Sequence, residues 1–467
     1  MAFTLHLSNH IEELCSRCLS ILAQPMLDPL ATEFVLVDNK VMGQWLGLQL
    51  AQKEGIAANI RYIQPHELFW LLARALVSAE IPHETPLSKQ EMLWKLYGVF
   101  SDSEFLAQQV MQPVKHYFQG EGNVVLKRYQ LAVAVSDLFD QYLVYRPEMM
   151  LEWESKSQIY SEDGNAQWQH ALWTKLSNSS VSNFDKKLHH RAAIERKLLE
   201  SLHESNSDTI SKKTQLQRLS VFGISSMPPQ LQEMLFLLGG HIPVDLFVLN
   251  PCRHYWFDIQ SEKVLSRKLE KKKLEGGVIG NPLLASQGQQ VRDFIGGLYA
   301  KFDQYSFQDI DYYIDNKTDL LLGCIQQEIL DLQYQGSLAD LSSVKTGMHK
   351  QVVPAFDLQQ KVRSVQVHSC HSPLREVEVL YDQLMAMFAQ DDTLKPRDVV
   401  VMMPQVASYV PYIETVFGVT SREFPYFVMD RTWLEEVPLL HALDFLLSLP
   451  SSRFPLTDIL ALLEVEA

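Results

Sequence analysis

No Gly-Lys dipeptide occurs anywhere in the 467-residue chain. That absence excludes a phosphate loop of the G-x-x-x-x-G-K-[ST] type, in which backbone N–H groups cradle phosphate while the Lys and hydroxyl serve phosphate and magnesium. The turn after the first strand-like segment, where such a loop would sit, reads Ser8-Asn9-His10-Ile11. Other catalytic signatures are missing as well. His66-Glu67-Leu68-Phe69-Trp70 begins like a zinc H-E-x-x-H motif but lacks the second ligand and lies in an apolar helical pattern. No G-x-S-x-G nucleophile elbow is present. The acidic pairs Asp137/Asp140 and Glu376/Glu378 lack a third ligand, and only the first, at i and i+3, shares a helix face. No catalytic, metal or cofactor site is expected in this chain.

Cysteine is scarce. Five scattered residues, an odd number, argue against a disulfide framework. Cys15 and Cys18 fall on one helical stripe with Ile11, Leu14, Leu19 and Leu22, which marks them as core rather than ligands. No apolar run approaches the roughly eighteen residues that suggest a membrane span. The start, Met1-Ala2-Phe3-Thr4-Leu5-His6, has no basic region followed by an apolar stretch, so a secretory signal is not expected and a cytoplasmic protein is. Positive charge is in short supply too: 41 Lys and Arg stand against 56 Asp and Glu, a net charge of −15. Phosphate contacts need Lys and Arg, so this balance runs against a broad nucleic-acid surface. Local basic ground remains at Lys186-Lys187-Leu188-His189-His190-Arg191, at Lys212-Lys213 with Gln217 and Arg218, and from Lys263 to Lys273. Each of these reads first as a solvated helix face or loop.

What is present is ordinary globular material: 46% hydrophobic residues, 21% charged, and length enough for two or three domains. Phe3 to Leu7 reads as a strand. Asn9 with Glu12 predicts an N-cap at the start of the Ile11–Leu22 helix. Phe34-Val35-Leu36-Val37 suits a strand buried on both faces, and the helix carrying Met42, Trp45, Leu46 and Leu50 is ended by Gly55. This order predicts a parallel sheet with helices on its faces.

From residue 66 to 210 the strand signal fades. Ser88-Lys89-Gln90-Glu91 is a capping box, and Leu131 to Tyr145 a long amphipathic helix closed by Arg146-Pro147. Alternation returns with strands at Leu219–Ile224 and Val244–Leu249 around a helix at Pro229–Leu238. Further helices open at Gly280-Asn281-Pro282 and run from Leu320 to Leu332. A linker at Ser337–Val353 precedes strands at Ser364–His368, Val399–Met403 and Tyr426–Val428. Between the first two, a helix capped by Ser372 and Pro373 runs through Phe388, and a last helical pattern covers Leu456 to Val465. The expected fold class is α/β: parallel-sheet domains with a large helical insertion, divided 1–65, 66–210, 211–340 and 350–467. Many machines share that skeleton, and fold alone does not assign function.

Several long runs go further. They are Gly55-Ile56-Ala57-Ala58-Asn59-Ile60; Asp137-Leu138-Phe139-Asp140-Gln141-Tyr142-Leu143-Val144-Tyr145-Arg146-Pro147; Asn250-Pro251-Cys252-Arg253-His254-Tyr255-Trp256; Gly280-Asn281-Pro282-Leu283-Leu284-Ala285-Ser286; and Cys370-His371-Ser372-Pro373-Leu374-Arg375-Glu376-Val377-Glu378-Val379-Leu380. In content and order they resemble the RecC family. The resemblance implies a degenerate superfamily 1 helicase fold, similar to P-loop NTPases but without an ATP site, within a longer protein that ends in a nuclease-like domain. It implies partners too: RecB-like and RecD-like subunits that use ATP and magnesium, double-stranded DNA ends, and single strands scanned for the hot-spot sequence Chi. No membrane is involved.

Carried over by motif, the Chi-reading positions implied here are Asp38, Lys40, Gln44, Gln64, Trp70, Asp137, Leu138, Asp140, Arg146 and Arg191. Gln44 and Trp70 suit base-edge hydrogen bonding and stacking, and Arg146 and Arg191 suit phosphate or a guanine edge. The carboxylates suit cytosine amines or the orientation of the arginines. Helix packing is the alternative for Leu138 and Trp70, and an internal ion pair with Arg146 the alternative for Asp140. At 38, 40 and 64 the chain departs from the Gln, Thr and Leu of enteric members, which implies a changed base preference.

Overall fold

The computed structural model describes residues 3–26, 28, 30–81, 87–120, 122–155, 164–179, 190–259, 280–305, 307–333, 364–418, 424–428, 438–451 and 454–463. The chain divides into two compact units, Met1–Gln360 and Lys361–Ala467. The expected linker at Ser337–Val353 and the basic run from Lys263 to Lys273 lie outside the described residues.

The first unit is built on six parallel strands: β1 (Phe3–Ser8), β2 (Glu33–Val37), β3 (Ile60–Ile63), β4 (Leu219–Phe222), β5 (Val244–Leu249) and β6 (Gln308–Asp311). Their order across the sheet is β3-β2-β4-β5-β1-β6. Leu5 lies opposite Leu246 and Leu36 opposite Val221, so apolar side chains from strands far apart in sequence stack in register. The α/β reading therefore holds, with strands drawn from both sides of the insertion.

Helices α1 (Ile11–Leu22) and α2 (Lys40–Glu54) cover one face, where Leu14, Cys15, Cys18, Leu46 and Leu50 meet Val35, Val37, Phe222 and Phe247. Burial pushes the Cys15 thiol up to about 11 and raises Cys18 further, as a core position dictates. Close packing of α2 needs Gly43, since a Cβ there would fall 2.8 Å from the Tyr62 side chain. Gly55 ends α2 in the left-handed region at φ 83°, where glycine carries no Cβ penalty. Asn9 does not cap α1. The N-cap is His10, and the Asn9 amide instead exchanges two hydrogen bonds with the backbone of Ile314.

The segment between β3 and β4 is helical: α3 (Pro65–Leu76), α4 (Lys89–Val99), α5 (Ser103–Leu106), α6 (Gln112–Gln119), α7 (Val124–Tyr145), α8 (Pro147–Ser155), α9 (Gly164–Ser179), α10 (Arg191–Glu204) and α11 (Ser207–Thr214). It has a core of its own, with Trp173, Phe139 and Phe100 fully buried. Helices α3 and α10 also contribute to the sheet core through Leu68, Leu72, Ile194, Leu198 and Leu202. After β4 come α12 (Pro229–Gly239), α13 (Pro282–Gln287), α14 (Gln289–Tyr299), α15 (Phe302–Tyr305) and α16 (Leu321–Leu330).

In the second unit, α17 (Pro373–Gln390) and α18 (Val406–Phe417) pack together, followed by α19 (Pro438–Ser448) and α20 (Leu456–Leu463). Ser372 caps α17 and Pro373 is its first residue, as the sequence predicts. The three expected strands are a correction: 364–368, 399–403 and 426–428 join no ladder among the described residues. A strand needs a partner for its N–H and C=O groups, and no described segment supplies one.

Candidate nucleic-acid interface

Parallel α/β sheets form a crevice at the carboxyl ends of adjacent strands whose connections leave in opposite directions. Here β2 runs on to β3 on one side, and its neighbour β4 runs on to β5 on the other. A cavity of about 240 Å³ lies at that edge, lined by Asp38 just after β2, by Gln64, Pro65, His66 and Phe69 after β3, by Pro228 and Gln230 after β4, and by Arg191, Glu195 and Leu198 of α10.

Each polar lining group is placed by local chemistry. Gln64 is the N-cap of α3: its backbone N–H donates to Glu67 at 2.8 Å, and its side-chain amide donates to the Asp38 carbonyl at 3.1 Å. Arg191 is the first residue of α10 and follows the N-cap His190, whose Nε2 bonds Glu154 at 2.9 Å and whose Nδ1 accepts from Ala193 N–H. The Arg191 guanidinium sits 4.8 Å above the Phe69 ring, a cation–π contact, and its Nε is buried with no hydrogen-bond partner among the described residues. Gln230 Oε1 is likewise buried and unpartnered. Burial pulls the Arg191 pKa below the usual arginine value, while Glu195, Asp140 and Tyr145 act in the opposite sense. Glu195, one turn on, is 7% exposed, and burial pushes its carboxyl up to about 7 against the pull of Arg191. Asp140 is also raised, first by burial. Among the described residues, a side chain with an unpaired donor, one with an unpaired acceptor and a buried carboxyl thus line one small cavity together with an aromatic ring.

Of the ten positions singled out from sequence, Asp38, Gln64 and Arg191 line this cavity, and Asp140 couples to Arg191 electrostatically. Lys40 and Gln44 are exposed on the first turns of α2. Asp137 pairs with Lys89 and accepts from Gln141, and Leu138 is half-buried. Trp70 is in the core against Phe69, with ring centroids 4.8 Å apart, so its surroundings are those of helix packing. The alternative considered for Asp140, an ion pair with Arg146, is not what the structure shows. The charges that act on Asp140 are Arg191, Lys89 and Asp137, whereas Arg146 is exposed with its guanidinium 5.9 Å from the Tyr142 ring.

Of the basic clusters, 186–189 lies outside the described residues. Arg218 is held internally, donating to both Glu33 carboxylate oxygens at 2.8 Å and to the Leu22 carbonyl. Sequence reasoning missed Phe69, Glu195 and Gln230. The i, i+4 spacing of Arg191 and Glu195 was the one available signal.

The turn after β1 is closed by chain. Ser8 Oγ donates to the Tyr312 carbonyl and accepts from His10 N–H, and Asn9 is tied to Ile314. Among the described residues no group of three or more His, Cys, Asp or Glu is placed to hold a metal, and no helix is long and apolar enough to cross a membrane.

A parallel α/β sheet with a helical insertion and a crevice at the strand switch places the chain among α/β proteins and is consistent with helicase-like domains. The family described as RecC, N-terminal domain, matches residues 3–332. The chain is 36% identical to the RecBCD enzyme subunit RecC of Escherichia coli K12 over 94% of its length, and 30% identical to that of Haemophilus influenzae over 100%. With the Mycolicibacterium smegmatis subunit it shares 29% over 99%. It belongs to the RecC family. The chain spans 40%, 44% and 40% of the lengths of these three relatives.

Proposed function

We propose that the chain is a DNA-guiding and scaffolding part of a RecBCD-type helicase–nuclease that acts in double-strand break repair and homologous recombination. Its partners are RecB-like and RecD-like subunits, which supply ATP hydrolysis and nuclease chemistry. Its substrates are duplex ends and the single strands drawn from them. The crevice at the β2/β4 edge is part of the surface past which one strand is read for a Chi-like sequence.

One observation carries this reading: Arg191, a position implied by the family resemblance, stands with an unpaired buried Nε in a cavity shared with Asp38 and Gln64. A buried guanidinium N–H is costly unless something accepts from it, and the O6/N7 edge of guanine or a phosphate oxygen is the acceptor that arginine suits best. The two-residue turn between β1 and α1, tied down by Tyr312 and Ile314, supports leaving ATP and magnesium to the partners.

The test is single-strand binding and hot-spot response by the assembled full-length complex carrying Arg191→Ala or Arg191→Lys. A lost bidentate contact of about 1–3 kcal/mol corresponds to roughly a 5- to 150-fold loss of discrimination for Ala, with Lys intermediate. Unchanged affinity and unchanged response in both variants overturn the channel assignment. The net charge of −15 favours a second reading, a protein-binding scaffold without sequence recognition, and that same result selects it.

A further inference from the structure

Away from the cavity, the helical insertion carries a second unusual surface. Trp94 on α4 is 64% exposed, and Val125, Leu126 and Tyr129 on α7 are 58%, 52% and 42% exposed. They form one patch. The Trp94 and Tyr129 rings lie 6.1 Å apart across the packed α4–α7 pair, and Val125 and Leu126 sit one turn before Tyr129 on the same helix. Helix geometry does not demand these side chains: Asn123 already caps α7, accepting from Val125 and Leu126 N–H, and polar residues in that first turn would be capped equally well. Contiguous exposed aromatic and aliphatic groups of this kind mark interaction sites.

Their chemistry selects the kind of partner. Trp and Tyr serve both base stacking and protein hot spots, but Val125 and Leu126 offer a base nothing to stack on, whereas they complete an apolar centre for a protein. Cations border the patch. Lys127 lies over the Tyr117 ring at 5.5 Å with its ammonium donating to the Tyr117 and Gly120 carbonyls, and Arg128 precedes Tyr129, whereas Lys95 beside Trp94 is matched by Glu91 at 2.6 Å. In a chain of net charge −15, an apolar centre flanked on the α7 side by Lys127 and Arg128, with no carboxylate paired to either among the described residues, is complementary to a carboxylate-bearing partner rather than to the chain's own average surface.

We propose that the patch formed by Trp94, Val125, Leu126 and Tyr129 is a docking surface for a partner subunit whose contact face has an apolar centre and an acidic rim. This rests on the reading of the chain as a subunit of a RecBCD-type complex.

The experiment mixes full-length protein with RecB-like and RecD-like subunits, separately and together, and follows assembly by sedimentation velocity. Trp94→Ser/Tyr129→Ser is expected to weaken assembly at least tenfold with the thermal midpoint of the free subunit unchanged, and Trp94→Phe alone to retain most of it. Wild-type protein that assembles no better than the double variant overturns the docking surface and leaves the subunit reading intact. Wild-type protein that assembles with neither partner overturns both. Two other results reassign the patch and defeat the proposal: intact assembly with lost single-stranded DNA binding, and loss only of self-association.

Discussion

Phe34-Val35-Leu36-Val37 and Val399-Val400-Val401-Met402-Met403 are nearly indistinguishable as sequence, yet the structure treats them in opposite ways. The first is β2, with every residue buried, hydrogen-bonded on both sides and covered by helices. The second belongs to no strand and is open, with Val400 78% and Met402 89% exposed; Val367 at 93% and Phe427 at 85% repeat the pattern in the other two segments. An apolar run states a preference for being covered. It does not state what does the covering, which in the first unit comes from β4, far along the chain, and from α1 and α2.

The same distinction explains what was legible. β2, β4 and β5 are central strands whose continuous apolar runs announce them. β3 (Ile-Arg-Tyr-Ile) and β6 (Gln-Asp-Ile-Asp) were missed because they occupy the two sheet edges, where one side faces solvent and polar residues are favoured. Helix starts at Ser88, Asn281 and Ser372 were readable because capping is local. Asn9 was misread because its partner, Ile314, is 305 residues away. At the site, Asp38, Gln64 and Arg191 were reached only through family resemblance. Glu195 was visible as the i+4 neighbour of Arg191, but its burial depends on the loops after β3 and β4, which no local pattern encodes.

The comparison can be broken most directly at Leu36, which is fully buried in β2. Leu36→Ala removes core volume that its neighbours cannot refill and is expected to cost about 2–5 kcal/mol in chemical denaturation of the first unit. A cost below about 1 kcal/mol contradicts the covered state of β2.

Burial of charge gives a smaller, pH-dependent effect. The Glu195 carboxyl is raised from 4.5 to about 7. The folded state therefore takes up this proton more readily than the unfolded chain, so ionisation destabilises the fold. The penalty is complete above pH 7, shrinks as pH falls from 7 toward 4.5, and is absent below that. At about 1.4 kcal/mol per unit the penalty is on the order of 3 kcal/mol. That value is already net of the attraction to Arg191, so Glu195→Gln is expected to gain up to about 3 kcal/mol at pH 8, a gain that vanishes near pH 4.5, in denaturation at several pH values. A variant that is less stable at pH 8 than at pH 5, relative to wild type, reverses the sign and refutes the buried carboxyl.

Met402 should show the smallest effect, and it tests the open side of the comparison. A side chain 89% exposed has almost no apolar contact to lose, so Met402→Ser should change stability by less than about 0.5 kcal/mol. Leu36 and Met402 are each the second-last residue of their apolar runs, so propensity alone predicts similar penalties for the two. Only the presence of covering atoms separates them. If Met402→Ser in the 467-residue chain costs as much as a core truncation, the 399–403 segment is buried in solution, and the contrast between the two units fails at its clearest point.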